Sequence, residues 1–554
     1  MQPSPSFSRD RQKALLKLSP FELKDELIRL ARESVRDDAA QLLNAGRGNP
    51  NWICTTPRDA FGLLLRFGLQ ESRRGMDTPD LGRKIPRNPG LARRLVQFLD
   101  VNAAAQGSKL LRDTWNLGIR QLKLDPFVFA HELTEGVIGD MYPVPDRMLR
   151  CCERIVHEFL AKELCAGRPP EGKFDLFAVE GGTAAMCYIF DTLVQNGLLQ
   201  RGNIIALGVP VFVPYIEIPD LERFAFKVMK IDAGLERRDD GGHTWQYTDA
   251  EIDKLADKRV KALFLVNPSN PPSYAIRDSS LRRLVALVQN RRPDLMIITD
   301  DVYGTFVPGF RSVMAELPHN TIGVYSYSKH FGCTGWRLGV VAVHQNNIFD
   351  QMIEKLPARV RAALDHRYAT LSPEPARLKF IDRMVADSRM VALNHTAGLS
   401  LPQQIQMALF SSFSLLDQAD AYKATCQQIV QRRFRGLCRG LALTLPADDM
   451  RAAYYAELDL MVWANKEYGA KFVEFLRRNY ACTDVLFRLA KHAGVVLMHG
   501  GGFGGPDWSV RVSLANLPEE TYPKIGRYLR ETMHTYVLEW KSSQQKRTLV
   551  STSC

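Results

Sequence analysis

The chain has 554 residues, and its 73 Lys and Arg outnumber 61 Asp and Glu to give a formal charge of +12. Hydrophobic residues make up 45% and charged residues 24%, a balance that excludes disorder, collagen and coiled coil as whole-chain readings. At about 150 residues per domain the length allows three or four domain-sized units. The excess positive charge raises three partner classes: nucleic acid, a membrane surface or an anionic small molecule.

The first 40 residues carry Leu15, Leu16, Leu18, Leu23, Leu27 and Leu30 among charged residues, the spacing of an amphipathic packing helix. A sharp loop follows, Asn44-Ala-Gly-Arg-Gly-Asn-Pro-Asn51. Residues 56–135 read as helices with basic turns. From about residue 172 short β-rich runs alternate with helical ones. The strands are Phe174–Val179, Asn203–Val209, Val260–Asn267, Leu295–Asp300, Ile322–Tyr327 and Gly339–His344, with helices over 184–199 and 279–290. This alternation predicts an α/β chain whose mainly parallel sheet is covered by helices on both faces. Such sheets bind ligands at the carboxyl ends of their strands. From about 360 the chain is helical again. Strand-like runs over 453–463, 495–498 and 509–514 and a helix over 468–479 then predict a smaller α+β domain. A polar tail from Lys541 is expected to fray.

Ten Cys residues include no CxxC pair, so neither a zinc ribbon nor a redox motif is expected, and reduced thiols in the cytoplasm are. The N-terminal MQPSPSFSRDRQK lacks an apolar core, so no signal peptide is expected. The longest apolar candidate, Ile204 to Ile216, is broken by Pro210 and Pro214, which argues against a membrane partner.

Four segments just after strands carry the chemistry. Glu180-Gly181-Gly182-Thr183 leads from a strand into a helix, where free amides and the helix dipole suit a phosphate. Asn267-Pro268-Ser269-Asn270-Pro271 is a stiff turn in which Asn270 can donate an amide hydrogen bond. Asp300 ends a buried-looking strand, where a carboxylate needs a cationic partner, and Tyr303 follows it. Ser326-Tyr-Ser328-Lys329 is followed eight residues after the lysine by Arg337 in Gly332-Cys-Thr-Gly-Trp-Arg337-Leu-Gly339. An ammonium at the end of an apolar strand is desolvated, which lowers its pKa and makes the amine nucleophilic toward carbonyls.

Together these four motifs resemble those of the fold-type-I pyridoxal-phosphate enzymes of the class I and II aminotransferase group, in the same order and spacing. The resemblance implies pyridoxal 5'-phosphate as cofactor and Lys329 as its Schiff-base lysine. It implies Asp300 as partner of the pyridine nitrogen, and Asn270 and Tyr303 as partners of the ring hydroxyl. Gly181, Gly182, Thr183, Ser326, Ser328 and Arg337 would cradle the phosphate. Phe212, in Pro210-Val-Phe-Val-Pro-Tyr215, would stack on the ring, although a core aromatic is an equally good reading. Tyr142, in Gly139-Asp-Met-Tyr-Pro143, resembles the tyrosine that a neighbouring subunit sends to the phosphate, which implies a homodimer at least. Arg511, in Trp508-Ser-Val-Arg-Val-Ser-Leu-Ala515, would grip the substrate α-carboxylate, and Gly48 matches the glycine that closes over the substrate.

Three features depart from an ordinary aminotransferase: the length, the helices over 56–135, and the loop Leu43-Asn-Ala-Gly-Arg-Gly-Asn-Pro-Asn-Trp52 with Arg47 beside Gly48. With Asn394-His-Thr-Ala-Gly-Leu-Ser-Leu-Pro-Gln403 they resemble the bacterial aspartate 4-decarboxylases over nearly the whole chain. That family turns L-aspartate into L-alanine and carbon dioxide and retains some aspartate aminotransferase activity. The resemblance also implies larger assemblies of dimers. Arg47, and His395 or Thr396 of a neighbouring subunit, would lie near the distal carboxylate, although a solvated loop charge is an equally good reading of Arg47. The expected organisation is an N-terminal helix and substrate loop over 1–55, belonging to the small domain. A helical insert over 56–135, a large domain over 136–360, a small domain over 361–540 and a tail over 541–554 follow. The rival readings are a plain aminotransferase for aspartate or aromatic amino acids, and a non-enzymatic pyridoxal-phosphate-binding regulator of transcription. No recognition helix stands out in residues 1–135, and acids interleave the bases there, so no nucleic-acid partner is expected.

Overall fold

The computed structural model describes residues 12, 14–35, 42–76, 78–85, 90–389 and 398–551. Twelve strands form in chain order among them. They are β1 (Leu43–Asn44), β2 (Phe174–Val179), β3 (Ile204–Val209), β4 (Lys227–Asp232), β5 (Val260–Val266), β6 (Met296–Asp300), β7 (Thr321–Ser326), β8 (Gly339–His344), β9 (Tyr455–Asp459), β10 (Val495–Val496), β11 (Met498–His499) and β12 (Ser509–Ser513).

Seven of them make the central sheet, in the order β2-β8-β7-β6-β5-β3-β4. Strands β7, β6, β5, β3 and β4 run parallel, while β8 is antiparallel to both its neighbours. The expected strands are found to within one residue at each end. Every residue of β6, β7 and β8 is buried, as an inner sheet covered on both faces requires. Strand β4 was not expected. Its sequence, KVMKID, places lysines on an exposed edge, where charge keeps the unpaired backbone from recruiting another strand.

Helices seal the sheet with residues spaced three and four apart. In Gly182–Gln195 these are Ala185, Met186, Ile189, Phe190 and Leu193. Phe190 stacks on Phe264 of β5 with ring centroids 4.2 Å apart. Helices Phe380–Ser388 and Leu401–Leu416, in the segment expected to open the small domain, pack instead on helices Gly182–Gln195 and Arg150–Leu164 beside the large sheet. Leu401–Leu416 also carries helices Thr56–Arg73 and Pro126–Ile138 of the 56–135 segment.

A second layer is built on the antiparallel sheet β11-β12-β9. Helices Ala421–Leu441 and Tyr522–Ser551 pack on each other beside it. The N-terminal segment joins this layer: β1 pairs with β10, and helix Pro20–Val35 packs on Asp484–Ala493. Two expectations fail here. The run over 453–463 is not one strand. It stops at Asp459, whose side chain accepts the amides of Met461 and Val462 and starts helix Leu460–Tyr468. The segment from Lys541 continues helix Tyr522–Ser551 instead of fraying. Buried Ile525, Leu529, Met533, Tyr536 and Val537 anchor that helix upstream, and propagation from a formed helix is inexpensive.

No described helix is long and apolar enough to cross a membrane. Phe190→Ala should weaken the large domain by about 3–5 kcal/mol, the cost of deleting a buried aromatic ring. Urea unfolding should show an earlier transition, and Phe190→Leu should move it less.

Candidate active site

The carboxyl ends of β6 and β7 deliver Asp300 and, just past Ser326, Lys329. Asp300 is buried. Its Oδ2 accepts from the Tyr215 hydroxyl at 2.5 Å and its Oδ1 from the Val302 amide at 3.2 Å. Burial raises its pKa, against the Tyr215 and Val302 hydrogen bonds and the charge of Lys329. A cationic ligand group beside Asp300 would restore its charge. The neighbouring Asp301 takes hydrogen bonds from Thr299 and Ser312, at 2.7 and 2.5 Å, and burial pushes it up to about 8.

Lys329 is half-buried and its Nζ donates to the Gly48 carbonyl at 3.2 Å. The same carbonyl accepts from the Tyr454 hydroxyl at 2.8 Å. The lysine's turn is pinned on its far side, where the His330 carbonyl accepts from Trp52 Nε1 at 3.1 Å and from the Tyr422 hydroxyl at 2.9 Å. Gly332 has φ +59°, and a Cβ there would run into the Trp52 carbonyl. A Cβ on Gly48 would collide with the Tyr455 hydroxyl and lie 3.4 Å from Lys329 Nζ. Loop and lysine thus fit only with a bare backbone at both glycines.

Next to β2 and β8, Gly181 (φ +90°) leads into helix Gly182–Gln195. A Cβ on Gly182 would sit 3.6 Å from Asp300 Oδ2. Arg337 Nη2 donates to the Glu180 carbonyl at 3.0 Å and Nη1 to the Thr334 carbonyl at 2.9 Å. Ser326 Oγ donates to Ser328 Oγ at 2.9 Å. Thr183 is exposed on the first helical turn. Helix-end amides, two hydroxyls and a guanidinium, set beside a buried carboxyl, fit a ligand with a phosphate at one end and a cationic ring nitrogen at the other.

A separate chain of polar contacts joins Asn270 and Tyr303, at the rim of the large sheet, to the small domain. Asn270 Nδ2 lies 3.5 Å from the Tyr303 hydroxyl, which donates to the Tyr455 hydroxyl at 3.1 Å. Asn270 Oδ1 accepts from Arg511 Nη1 at 3.2 Å, and the Gly46 carbonyl accepts from Arg511 Nη2 at 2.8 Å. The Arg511 guanidinium carbon lies 4.5 Å from the Tyr455 ring centroid and 4.8 Å from that of Phe503. Arg511 is 2% exposed, its Nε has no partner, and no ion pair engages it among the described residues. Burial lowers its pKa. A buried guanidinium without a counter-ion calls for an anion.

The remaining expected residues lie further out. Phe212 is half-buried, with its ring 5.7 Å from Tyr215 and 6.1 Å from Phe21. Tyr142 is 62% exposed on the surface. Arg47 is exposed, between the two residues whose carbonyls hold Arg511 and Lys329. His395 and Thr396 lie outside the described residues. Tyr215, Tyr454, Tyr455 and Trp52 are site residues that the motif reading did not assign. Tyr215 stands in the segment quoted for Phe212, and the Tyr454-Tyr455 pair in a strand-like run, so only their position marked them.

Residues 177–529 match the family model for aminotransferase class I and II. The chain belongs to the class I and II aminotransferase family. A Pseudomonas bifunctional aspartate aminotransferase and L-aspartate beta-decarboxylase is 47% identical over 531 residues, 96% of this chain and 98% of its own. Among solved structures, Thermus thermophilus aspartate aminotransferase with maleate has a TM-score of 0.53 at 17% identity, covering 92% of this chain and 96% of that one. The aromatic aminotransferase from Pyrococcus horikoshii has the same TM-score and identity, covering 92% and 99%. These two likenesses show the fold. In this family member, Gly48→Ala should force the 45–52 loop away from Tyr455 at a cost of about 1–3 kcal/mol. A lower thermal midpoint and weaker carboxylate binding, measured by thermal shift, are the expected outcomes.

Proposed function

We propose that the chain is a pyridoxal-phosphate-dependent aspartate 4-decarboxylase that converts L-aspartate to L-alanine and carbon dioxide, with aspartate transamination as a side activity. The observation that carries this reading is Arg511. A buried guanidinium without a counter-ion among the described residues is held by the Gly46 carbonyl of the same loop whose Gly48 carbonyl accepts from Lys329, in a chain that aligns over 96% of its length with the Pseudomonas relative bearing both activities. The bound cofactor would supply the electron sink that accepts the bonding pair when the distal carboxylate departs as carbon dioxide.

The rest is the work of the protein's own residues. Asp300, backed by Tyr215, would keep the cofactor's ring nitrogen protonated. Asn270 and Tyr303 would bind its ring hydroxyl, and Gly181, Gly182, Thr183, Ser326, Ser328 and Arg337 its phosphate. Phe212 would cover the ring. Arg511 would hold the α-carboxylate bidentately, which points the Cα–H bond at Lys329. The Lys329 amine would take that proton and return it. Gly48 and the loop around it would exclude water. Arg47 would attract the distal carboxylate without enclosing it, since a tight ion pair would stabilise the charge that has to be lost. Tyr142, on an exposed surface, would complete the phosphate site of a second copy, making the homodimer the smallest active unit. Larger assemblies of dimers in the cytoplasm complete the proposal.

The product test is direct. Incubated with L-aspartate and no keto acid, the enzyme should release alanine and carbon dioxide in equal amounts. Aspartate consumption that needs an added keto acid and yields no alanine would instead identify a plain aminotransferase. Lys329→Ala should lose both activities, because the proton transfer at Cα precedes either outcome. Arg47→Ala should raise KM for aspartate about tenfold, as loss of a partly exposed ion pair of about 1 kcal/mol or slightly more would. Unchanged decarboxylation in Arg47→Ala would remove that residue from the account.

A further inference from the structure

Beside Arg511 lies a second buried ionisable group. In the β9–β12 ladder Arg511 stands directly across from Glu457, so both side chains leave the same face of the sheet. Glu457 is 7% exposed. Its Oε1 accepts from Ser509 Oγ at 2.8 Å, and its Oε2 has no partner among the described residues. No ion pair joins it to Arg511, although the two strands are adjacent. The loop over 500–505 fixes this geometry. A Cβ on Gly500 would come within 2.8 Å of Oε1, and one on Gly505 would collide with it. The carboxyl is boxed in beside the guanidinium and turned toward Ser509.

We propose that Glu457 is a proton-linked positioning residue for the carboxylate that Arg511 receives. With its proton on, it leaves the guanidinium's charge to the ligand. Once ionised, it offsets that charge and repels the ligand. The inference rests on the reading of Arg511 as the substrate carboxylate site.

The electrostatic surroundings support a change of charge at accessible pH. Burial pushes Glu457 up to about 8, opposed by the Ser509 hydrogen bond and the charge of Arg511, and reinforced by Asp459 and Asp232. Asp459 is engaged by His243 at 2.7 Å. Tyr455 shares the face, and the loop over 500–505 carries no ionisable side chain between His499 and Asp507. The sign follows from the raised value. Below about pH 8 Glu457 is neutral and binding is at full strength. Above it the carboxylate forms, and a ligand carboxylate can enter only as Glu457 takes a proton back. Affinity should fall toward tenfold per pH unit on the alkaline side.

Calorimetric titration of the pyridoxal-phosphate-loaded enzyme with succinate, in two buffers of different ionisation heat, counts the protons taken up on binding. At about pH 8.5 the wild-type enzyme should take up more protons than Glu457→Gln, and at about pH 7 the two should agree. Equal uptake at both pH values would overturn the proposal, as would a shift in affinity that is the same at every pH, the mark of packing alone. Ser509→Ala provides a second variant should Glu457→Gln fail to fold. Losing the hydrogen bond that favours the ionised carboxyl should move the alkaline loss of affinity to higher pH, and an unmoved profile would contradict the inference. Absence of succinate binding by the wild-type enzyme, with alanine still made from aspartate, would overturn this inference while leaving the decarboxylase reading standing. Absence of both would overturn the two together.

Discussion

The structure turns on a buried cation that has no anionic partner among the described residues. An uncompensated charge in a protein interior costs several kcal/mol, and Arg511 bears that cost among carbonyl and amide oxygens, a thioether and two aromatic faces, with Glu457 across the ladder but in no ion pair with it. The contacts come from three parts of the chain. Asn270 belongs to the large sheet's rim, Gly46 to the N-terminal loop, and Tyr455 and Phe503 to the small domain. Holding the guanidinium in place therefore brings three segments together at one point. The free energy withheld there would become available to the carboxylate that Arg511 is proposed to bind.

The neighbouring groups obey the same logic. Parallel strands end at one rim of the sheet, and that rim gathers Asp300 and Lys329 within reach of the glycine-led helix over 182–195. Asp300 is buried against its own charge and is poised for a cation. Lys329 faces a carbonyl that two donors share. The loop over 45–54 closes the site because it is fastened on both sides: Ala45 to β10 and β12, Asn51 to Ala515 and Arg433, and Trp52 and Cys54 to the turn after Lys329. A site assembled from buried charged groups held by neutral hydrogen-bond partners is costly to fold and specific in what completes it.

Much of this was legible in the sequence because the informative residues occur in short contiguous motifs. Gly181-Gly182, Asn270, Asp300, Lys329 and Arg337 each sit within a few residues of a strand end, where an apolar run marks the strand and the polar residue marks its exit. Arg511 was legible from its strand motif, yet its lack of a counter-ion could be seen only in three dimensions. Glu457 and Tyr215 face partners 54 and 85 positions away in the chain, and no local pattern announces such a pairing. Strand β4 escaped notice because its apolar face is short: only Met229 and Ile231 pack on the core, and the lysines at 227 and 230 interrupt the pattern. The run beyond Asp459 was misread because a half-buried helix starting on Leu-Met-Val-Trp has strand-like composition, and only the cap distinguishes them. The excess positive charge has no functional account beyond Lys329, Arg337 and Arg511, and the long helical segment over 56–135 proved the better guide to the subfamily.

The central claim is that Arg511 is kept unpaired in order to receive a carboxylate. Thermal unfolding of wild type and Arg511→Met, each with and without succinate, tests it most directly. Removing a buried charge that has no counter-ion removes its desolvation penalty, and even buried ion pairs can be replaced by apolar side chains at no cost or with a gain of about 1–4 kcal/mol. The account predicts that Arg511→Met melts at or above the wild-type temperature without ligand and gains nothing from succinate, while wild type rises with succinate concentration. An Arg511→Met protein that melts well below wild type yet is still stabilised by succinate would contradict it.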